Sequence, residues 1–361
     1  MALKKICVWL FGFLLCHATL IYAQDNGQLG DFSEIGLEEL YGEDELVSIA
    51  TGSQKPIDKA PAIASVITAK RIAEMGARNL NEILETVPGL HVGLSAINRL
   101  DSVYSIRGIH TGFNPQVLLL MNGVAISNAG TGSHPILFRL PVASISRIEV
   151  IRGPGSAIYG ADAYSGVINI ITKTPTDLDS EIGSRIGSFN SRDAWLNHNF
   201  SAASWNLGIS FEWQSSDCDT DRTINSDYQT TLNPNLSLAP GPLNTGYEVF
   251  NTLFNARKGD FSLNFWNWQL VDAGVGAGGS LALDPLGTQN ENLYLLDLGY
   301  RHNLADGLEA NLNLNYMYYE SDSYFRLLPP GSLGFTDGMI GAPSGVGQQS
   351  GLDLVLNYSR I

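Results

Sequence analysis

The chain has 361 residues, with 36 acidic against 21 basic side chains and a formal net charge of -15. Such a charge repels phosphate backbones and excludes nucleic acid as a partner. Of the three cysteines, Cys7, Cys16 and Cys218, only the last lies beyond the first 23 residues, so no disulfide framework and no Cys/His metal spacing is present.

Lys4 and Lys5 precede an apolar run from Ile6 to Tyr22 that ends at Ala23. That order reads as a signal peptide over residues 1–23, cleaved before Gln24. No stop-transfer pattern follows, which disfavours a membrane anchor, and Leu15 before Cys16 disfavours a lipid anchor. Past Gln24 there is no apolar run of about 18 residues, so a helical span is excluded. Strands remain a way to cross a membrane. Residues 24–44 read as a polar, mobile segment.

From Glu45 the pattern is mixed. Thr68 is an N-cap for a short helix carrying Ile72 and Met75 and stopping at Gly76. Asn79, with Glu82 three residues on, caps a second helix as a capping box would. Leu80, Ile83, Leu84 and Val87 fall at i, i+3, i+4 and i+7, a single buried stripe that Pro88-Gly89 ends. Short strands follow in "SVYSIRG", "QVLLLMNGVAI", "ISRIEVIRG" and "GVINIITK". Between the last two lies a loop with Gly153, Gly155, Gly160 and Gly166. It is no P-loop, since Ala161-Asp162 follows Gly160, and Gly155 and Gly160 are too far apart for a dinucleotide fingerprint. This half is expected to be a small α+β domain over residues 45–174.

After Lys173 the period becomes two. In "WNLGISFEW", Trp205, Leu207, Ile209, Phe211 and Trp213 alternate with smaller or polar partners, and "LEANLNLNYMYY" does the same. Further strands read near 180–188, 192–201, 246–257, 260–271, 291–302 and 350–359. A β-sandwich would alternate too. The connections separate the two: short links at "SAAS", "KGD" and "NLADG" alternate with long loops from Ser215, Asp272 and Ser321. Outer-membrane barrels have this asymmetry, and Trp205, Trp213, Tyr316 and Tyr318 near strand ends suit an aromatic girdle.

Four phrases, "NLNEILETVPGLHV", "YSIRGI", "VLLLMNGVAI" and "LPVASISRIEVIRGPGSAIYGADAYSGVINIITK", occur in this order. Together they closely resemble the plug domain of TonB-dependent outer-membrane transporters. Asn122 stands where that family usually has Asp. The resemblance implies an α+β plug followed, over residues 175–361, by antiparallel transmembrane β-barrel strands. A plugged lumen takes about 22 strands and this stretch has room for about eight, so the barrel would be incomplete and the sequence the N-terminal part of a longer transporter. It also implies export to the outer membrane of a Gram-negative cell and contact with its lipid. The plug would gate uptake of a scarce ligand, a ferric siderophore first and cobalamin second. The partner would be TonB with its inner-membrane energising complex.

Within residues 43–51, Glu45, Leu46, Val47, Ser48, Ile49 and Ala50 resemble a TonB box, which would add a strand to the partner's sheet edge. The same stretch could instead be the first strand of the plug. Glycines in the loop would let its turns approach the barrel wall closely, and Pro154 would fix the chain there. Arg107, Glu149 and Arg152 are expected to meet polar groups of that wall. Ligand contacts are expected at Asn98, Arg99 and Asp101, and at Ser127, Asn128 and His134, though a solvated loop would look alike. The long loops are acidic, which disfavours an anionic catecholate. Asp217, Asp219 and Asp221 match the first spacings of a calcium loop, but Arg222 and Tyr228 stand where its glycine and glutamate belong. With no GxSxG, no HExxH and scattered histidines, catalysis and a resident cofactor find no support. A surface receptor or adhesin that only binds is the rival class.

Overall fold

The computed structural model describes residues 46–47, 55–56, 63–95, 99–128, 132–155, 159–277, 281–305 and 307–358. β1 (Leu46–Val47) and β2 (Lys55–Pro56) pair antiparallel. β3 (Ala64–Thr68) runs directly into α1 (Ala69–Met75), because the Thr68 hydroxyl accepts the Arg71 N–H and starts the helix. Gly76, at φ 65°, closes it. α2 (Leu80–Leu84) starts at Asn79, whose side chain accepts from Glu82 N at 3.3 Å. The capping box is half made: the Glu82 carboxylate takes the N–H of Arg78 at 2.8 Å and the amide of Asn79 instead of the Asn79 N–H. Leu80, Ile83, Leu84 and Val87 are all buried, as their spacing requires.

β4 (Leu90–Leu94) and β5 (Ser102–Ile106) form a separate antiparallel pair. The main sheet of this domain adds β6 (Val117–Met121), β7 (Val124–Ala125), β8 (Ile145–Arg152) and β9 (Gly166–Thr172). Its order is β3-β8-β9-β6-β7, with β6 and β9 parallel and the other pairs antiparallel. Both faces are covered, which is why "VLLLM" is a continuous apolar run and "VINII" is interrupted only by Asn169, which accepts the Gly123 N–H. On one face Leu119, Ile148, Val150, Ile168 and Ile170 pack with Ile72, Ile83 and Leu84 of the helices. On the other, Leu118, Leu120, Ile151 and Val167 pack with Val66 and Val47.

The second sheet is an antiparallel meander. β10 (Glu181–Gly187), β11 (Ser191–Ala202) and β12 (Trp205–Ser216) lead into a long connection, which holds a small pair, β13 (Thr223–Ile224) with β14 (Gly241–Pro242), and a helix α3 (Tyr228–Leu232). β15 (Tyr247–Lys258), β16 (Phe261–Ala277), β17 (Leu283–Ala305) and β18 (Leu308–Leu328) continue it. β18 then pairs with both β19 (Met339–Gly341) and β20 (Ser344–Tyr358). Neighbours pair in strict chain order from β10 to β18, and β10 is one edge of the sheet.

Tight turns follow β11 and β15, and β17 is close in sequence to β18, so these three connections share one end. The expected second long loop is corrected here. β16 runs on to Ala277 and β17 starts at Leu283, so strand replaces most of the loop read from Asp272. Bulges between Leu270 and Ala273 and between Gly274 and Gly276 carry the hairpin upward.

The alternation is inverted relative to a soluble protein. On β12 the buried residues are Ser210, Glu212, Gln214 and Ser216, while Leu207, Ile209, Phe211 and Trp213 face outward. On β18, Leu312, Leu314 and Tyr316 are exposed on the outer face, and on β20 Leu352, Leu354 and Leu356 are. The inner face, polar on β12 and mixed with Val249, Leu253, Trp266, Trp268 and Leu293 on β15 to β17, is buried because the N-terminal domain lies against it; the outer apolar face is bare.

Candidate functional site

The N-terminal domain is seated on the inner face of the strands around a buried carboxylate. Glu212 of β12 accepts from Ala143 N at 2.8 Å, Ser144 N at 3.2 Å and the Ser144 hydroxyl at 2.7 Å. Asn251 of β15 donates to the same carboxylate at 3.0 Å, and its own oxygen takes the Trp266 indole N–H at 2.7 Å. Around this centre, Gln214 donates to Arg78 O at 2.9 Å and Asn255 to Lys173 O at 3.0 Å. Strand side chains thus satisfy backbone groups of the domain's irregular segments, which burial against an apolar wall would leave unpaired. Val249, Leu253, Trp266 and Trp268 extend the domain's own apolar cluster, with Ile136 and Phe138 packed against it.

The expected wall contacts lie elsewhere. Arg152 donates to Pro88 O at 2.6 Å and the Ser65 hydroxyl at 2.9 Å, both within its own domain. Glu149 is fully buried beside Arg147, at 2.9 Å. Arg107 sits exposed in the turn after β5, with φ 55°, and its N–H bonds Gly89 O at 2.9 Å. The partners of these groups come from the same domain: Arg147 of β8 itself, Ser65 of β3, and the turn at Pro88 and Gly89.

The glycine loop is also packed inward. A Cβ on Gly155 would stand 2.7 Å from Val167, and one on Gly166 would overlap Ile106 and the Ile151 carbonyl. The close approach that Gly155 and Gly166 permit is to β5, β8 and β9 of the same domain.

Among the residues expected to meet a ligand, Arg99 reaches the sheet: Nη2 donates to Gly274 O at 2.5 Å and Nε to Val275 O at 3.3 Å. Burial pushes its pKa down, with the nearby Arg139 adding to this. His134 is buried against the Tyr104 ring, 4.8 Å between centroids, and its Nδ1 donates to Pro135 O at 2.9 Å. Burial pushes the Asp101 carboxyl up, opposed by His134 close by. Ser127 and Asn128 are half-buried, and Asn128 closes its loop through backbone bonds with Gly132 and Ser133. Asn98 lies outside the described residues. So Asp101 and His134 come together beneath the domain's upper loops, while Arg99 binds strand backbone.

Sequence reasoning missed Arg139, which lies over the rings of Phe138 at 5.8 Å and Tyr247 at 4.9 Å. Its only signal was a basic residue beside an aromatic one. The calcium spacing does not become a cluster: Asp217 accepts from Asn190 at 2.9 Å, and no group of three ligating side chains gathers among the described residues. Of the TonB-box stretch, Leu46 and Val47 are described. They pair with Pro56 and Lys55, and Val47 is buried against Val66, Leu118 and Leu120. Glu45, Ser48, Ile49 and Ala50 lie outside the described residues.

Comparison with known proteins agrees with this architecture. Residues 56–167 match the family model described as the TonB-dependent receptor plug domain. Over 170 residues the chain is 37% identical to the vitamin B12 transporter BtuB of Vibrio vulnificus, which is 47% of this chain and 27% of that protein. The chain therefore spans about a quarter of the length of this curated relative. In fold it resembles the pyoverdine outer-membrane receptor FpvA of Pseudomonas aeruginosa, with a TM-score of 0.63 and 14% identity over 86% of this chain and 45% of that one. The siderophore receptor PiuA of Acinetobacter baumannii gives a TM-score of 0.59 at 16% identity, covering 84% and 43%. Residues 56–167 thus match a TonB-dependent receptor plug domain, seated on the inner face of an antiparallel meander whose fold resembles that of solved outer-membrane receptors.

Proposed function

We propose that the chain is the N-terminal part of an outer-membrane receptor that takes up a scarce external ligand, driven by TonB from the periplasm. The observation that carries this reading is the plug held on the lumen side of the strands by Glu212, with bare apolar residues outside. The hydrogen-bonded part of the seat, made by Glu212, Gln214, Asn251 and Asn255 beside the apolar contacts of Val249, Leu253, Trp266 and Trp268, suits a plug that must shift, because water can replace each bond when the contact opens. An apolar seat of equal area would resist opening more strongly.

In this reading Leu46 and Val47 are part of the TonB box. They are held in a two-residue pair with β2, and leaving it would offer their backbone to the partner's sheet edge. The receptor sits in the outer membrane of a Gram-negative cell, with its long connections facing outward. Arg99, Asp101, Ser127, Asn128, His134 and Arg139 lie on the plug side facing those connections.

The cargo is a ferric siderophore or cobalamin. The 37% identity to a vitamin B12 transporter favours testing cobalamin in parallel. The test uses the full-length gene product in cells, with labelled cobalamin and labelled ferric siderophores, with and without residues 43–50. Energy-dependent uptake lost on that deletion, with surface binding kept, is the expected result. Uptake that persists without residues 43–50, or binding with no uptake in either form, would overturn the reading in favour of a surface receptor.

A further inference from the structure

The outward face of the meander carries, near its short-turn end, an apolar groove of about 320 Å³. Trp205, Phe261, Leu263, Leu298, Tyr300 and Leu312 line it, drawn from β12, β16, β17 and β18. All are on the outward parity of their strands. Phe261 and Tyr300 are paired in register, and their rings are 4.8 Å apart at the end nearest the turns. At that same end stands a cation. Lys258, the last residue of β15, is in register with Phe261, and its Nζ lies 5.7 Å from the Trp205 ring centroid. Its hydrogen bond is to one carbonyl, Ala203 O, at 3.4 Å. It enters no ion pair among the described residues. Two nearby charge pairs are closed: Asp260 pairs with His302 at 2.6 Å, and Arg301 lies 3.9 Å from Glu309.

A groove that is apolar along its length and cationic at one end has the polarity of a single amphiphile. Its apolar part is continuous with the outward band of Leu298, Leu312 and Leu314, which meets hydrocarbon. Its cationic end lies at the aromatic rim, where head groups stand. The short turns face the periplasm in this architecture, which selects the inner leaflet. We propose that this groove with Lys258 is a binding site for one glycerophospholipid, an acyl chain lying over Leu263 and Leu298 and the phosphate at Lys258 Nζ. The site rests on the outer-membrane reading above but not on the identity of the cargo.

The test is native mass spectrometry of the full-length protein extracted from outer membranes into mild detergent, with lipid extraction to identify what is retained. The wild type is expected to keep a single phospholipid. Reversing the charge in Lys258→Glu should weaken retention by about tenfold, since each basic side chain near a lipid head group contributes on the order of 1 kcal/mol. Leu298→Trp, which fills the groove, should abolish it. Ile209→Trp, on the same face but outside the groove, should retain the lipid. Heat-modifiable migration on gels checks that each variant is folded. Folded variants that retain as much phospholipid as wild type, or a wild type that retains none or only lipopolysaccharide, would overturn the site alone. A chain recovered as a water-soluble protein would overturn the membrane reading with it.

Discussion

At the scale of single residues, polar side chains here close structure that the backbone leaves open. Asn122 is one case. It occupies the positive-φ turn between β6 and β7, at φ 52°, and its amide both donates to Thr172 Oγ1 at 3.0 Å and accepts from Thr172 N at 2.9 Å. An aspartate, usual at this point in the family, could accept but not donate. Asp227 is another. Burial opposes its ionisation, but the Ser237 hydroxyl and the N–H groups of Leu283, Thr230 and Gln229 outweigh that and hold its pKa below the usual range. It caps α3 and ties that connection to the start of β17. Because the folded pKa is lowered, its contribution is present above the unfolded value near 3.9 and is lost as pH falls through the folded one. Asp227→Ala should cost the α3 segment about 1 kcal/mol, the usual worth of such a cap. Hydrogen exchange over 227–237 should therefore quicken in the variant at neutral pH. Wild type and variant should converge as the pH falls through the lowered folded value. Gly166 gives a stability counterpart. Gly166→Ala drives a methyl group into Ile106 and the Ile151 carbonyl, and overpacking of this kind costs about 1–3 kcal/mol. Faster amide exchange along β5 and β9 would register it, and unchanged exchange would mean that the strands give way more easily than their packing implies.

At the scale of elements, the signals that proved readable were local. Thr68 and Asn79 announce their helices because a cap is a bond between residues three apart, and the Leu80 stripe repeats at the helical period. The meander strands β10, β11, β12 and β15 carry the period of two, and their expected bounds lie within a few residues of the observed ones. Beyond Asp272 the segment "AGVGAGGS" has no side-chain period, since glycine and alanine mark neither face, so a continued hairpin read as a loop. The seat of the plug was illegible for a different reason. Glu212 in a period-two strand looks like any solvent-facing residue, and nothing local says that the polar face is the covered one. Arg152 and Glu149 are charges in an apolar run, and their partners are internal to the plug: Ser65 on the adjacent β3 and the Pro88 carbonyl for Arg152, and Arg147 of the same strand for Glu149. The seat itself makes a prediction. Glu212→Leu leaves Ala143 N, Ser144 N and the Ser144 hydroxyl without acceptors. Each buried orphan costs about 1–3 kcal/mol. Exchange at Ala143 and Ser144 should rise sharply while that of β8 and β9, whose bonds are internal, stays slow. Equal loosening of both would make Glu212 a general fold determinant and not a docking contact.

For the whole molecule the decisive quantity is which face of the meander meets lipid. Two adjacent residues of β18 separate the possibilities. Leu314 points outward and is 46% exposed, whereas Asn315 faces the lumen side, in register with Asp297 of β17 and Gly351 of β20. If the outward band is immersed in hydrocarbon, Leu314→Arg should destabilise the inserted protein by about 2–4 kcal/mol when near the bilayer midplane. Asn315→Arg keeps its charge among polar lumen groups near Asp297 and should insert normally. In a water-soluble sandwich the order would reverse. An arginine at the exposed Leu314 would be harmless there, and one on the covered face would be costly because a buried charge must be paired. Comparing the folded, heat-modifiable fraction of the two full-length variants in outer membranes therefore reads the orientation directly, since a one-residue shift along β18 changes the face and little else.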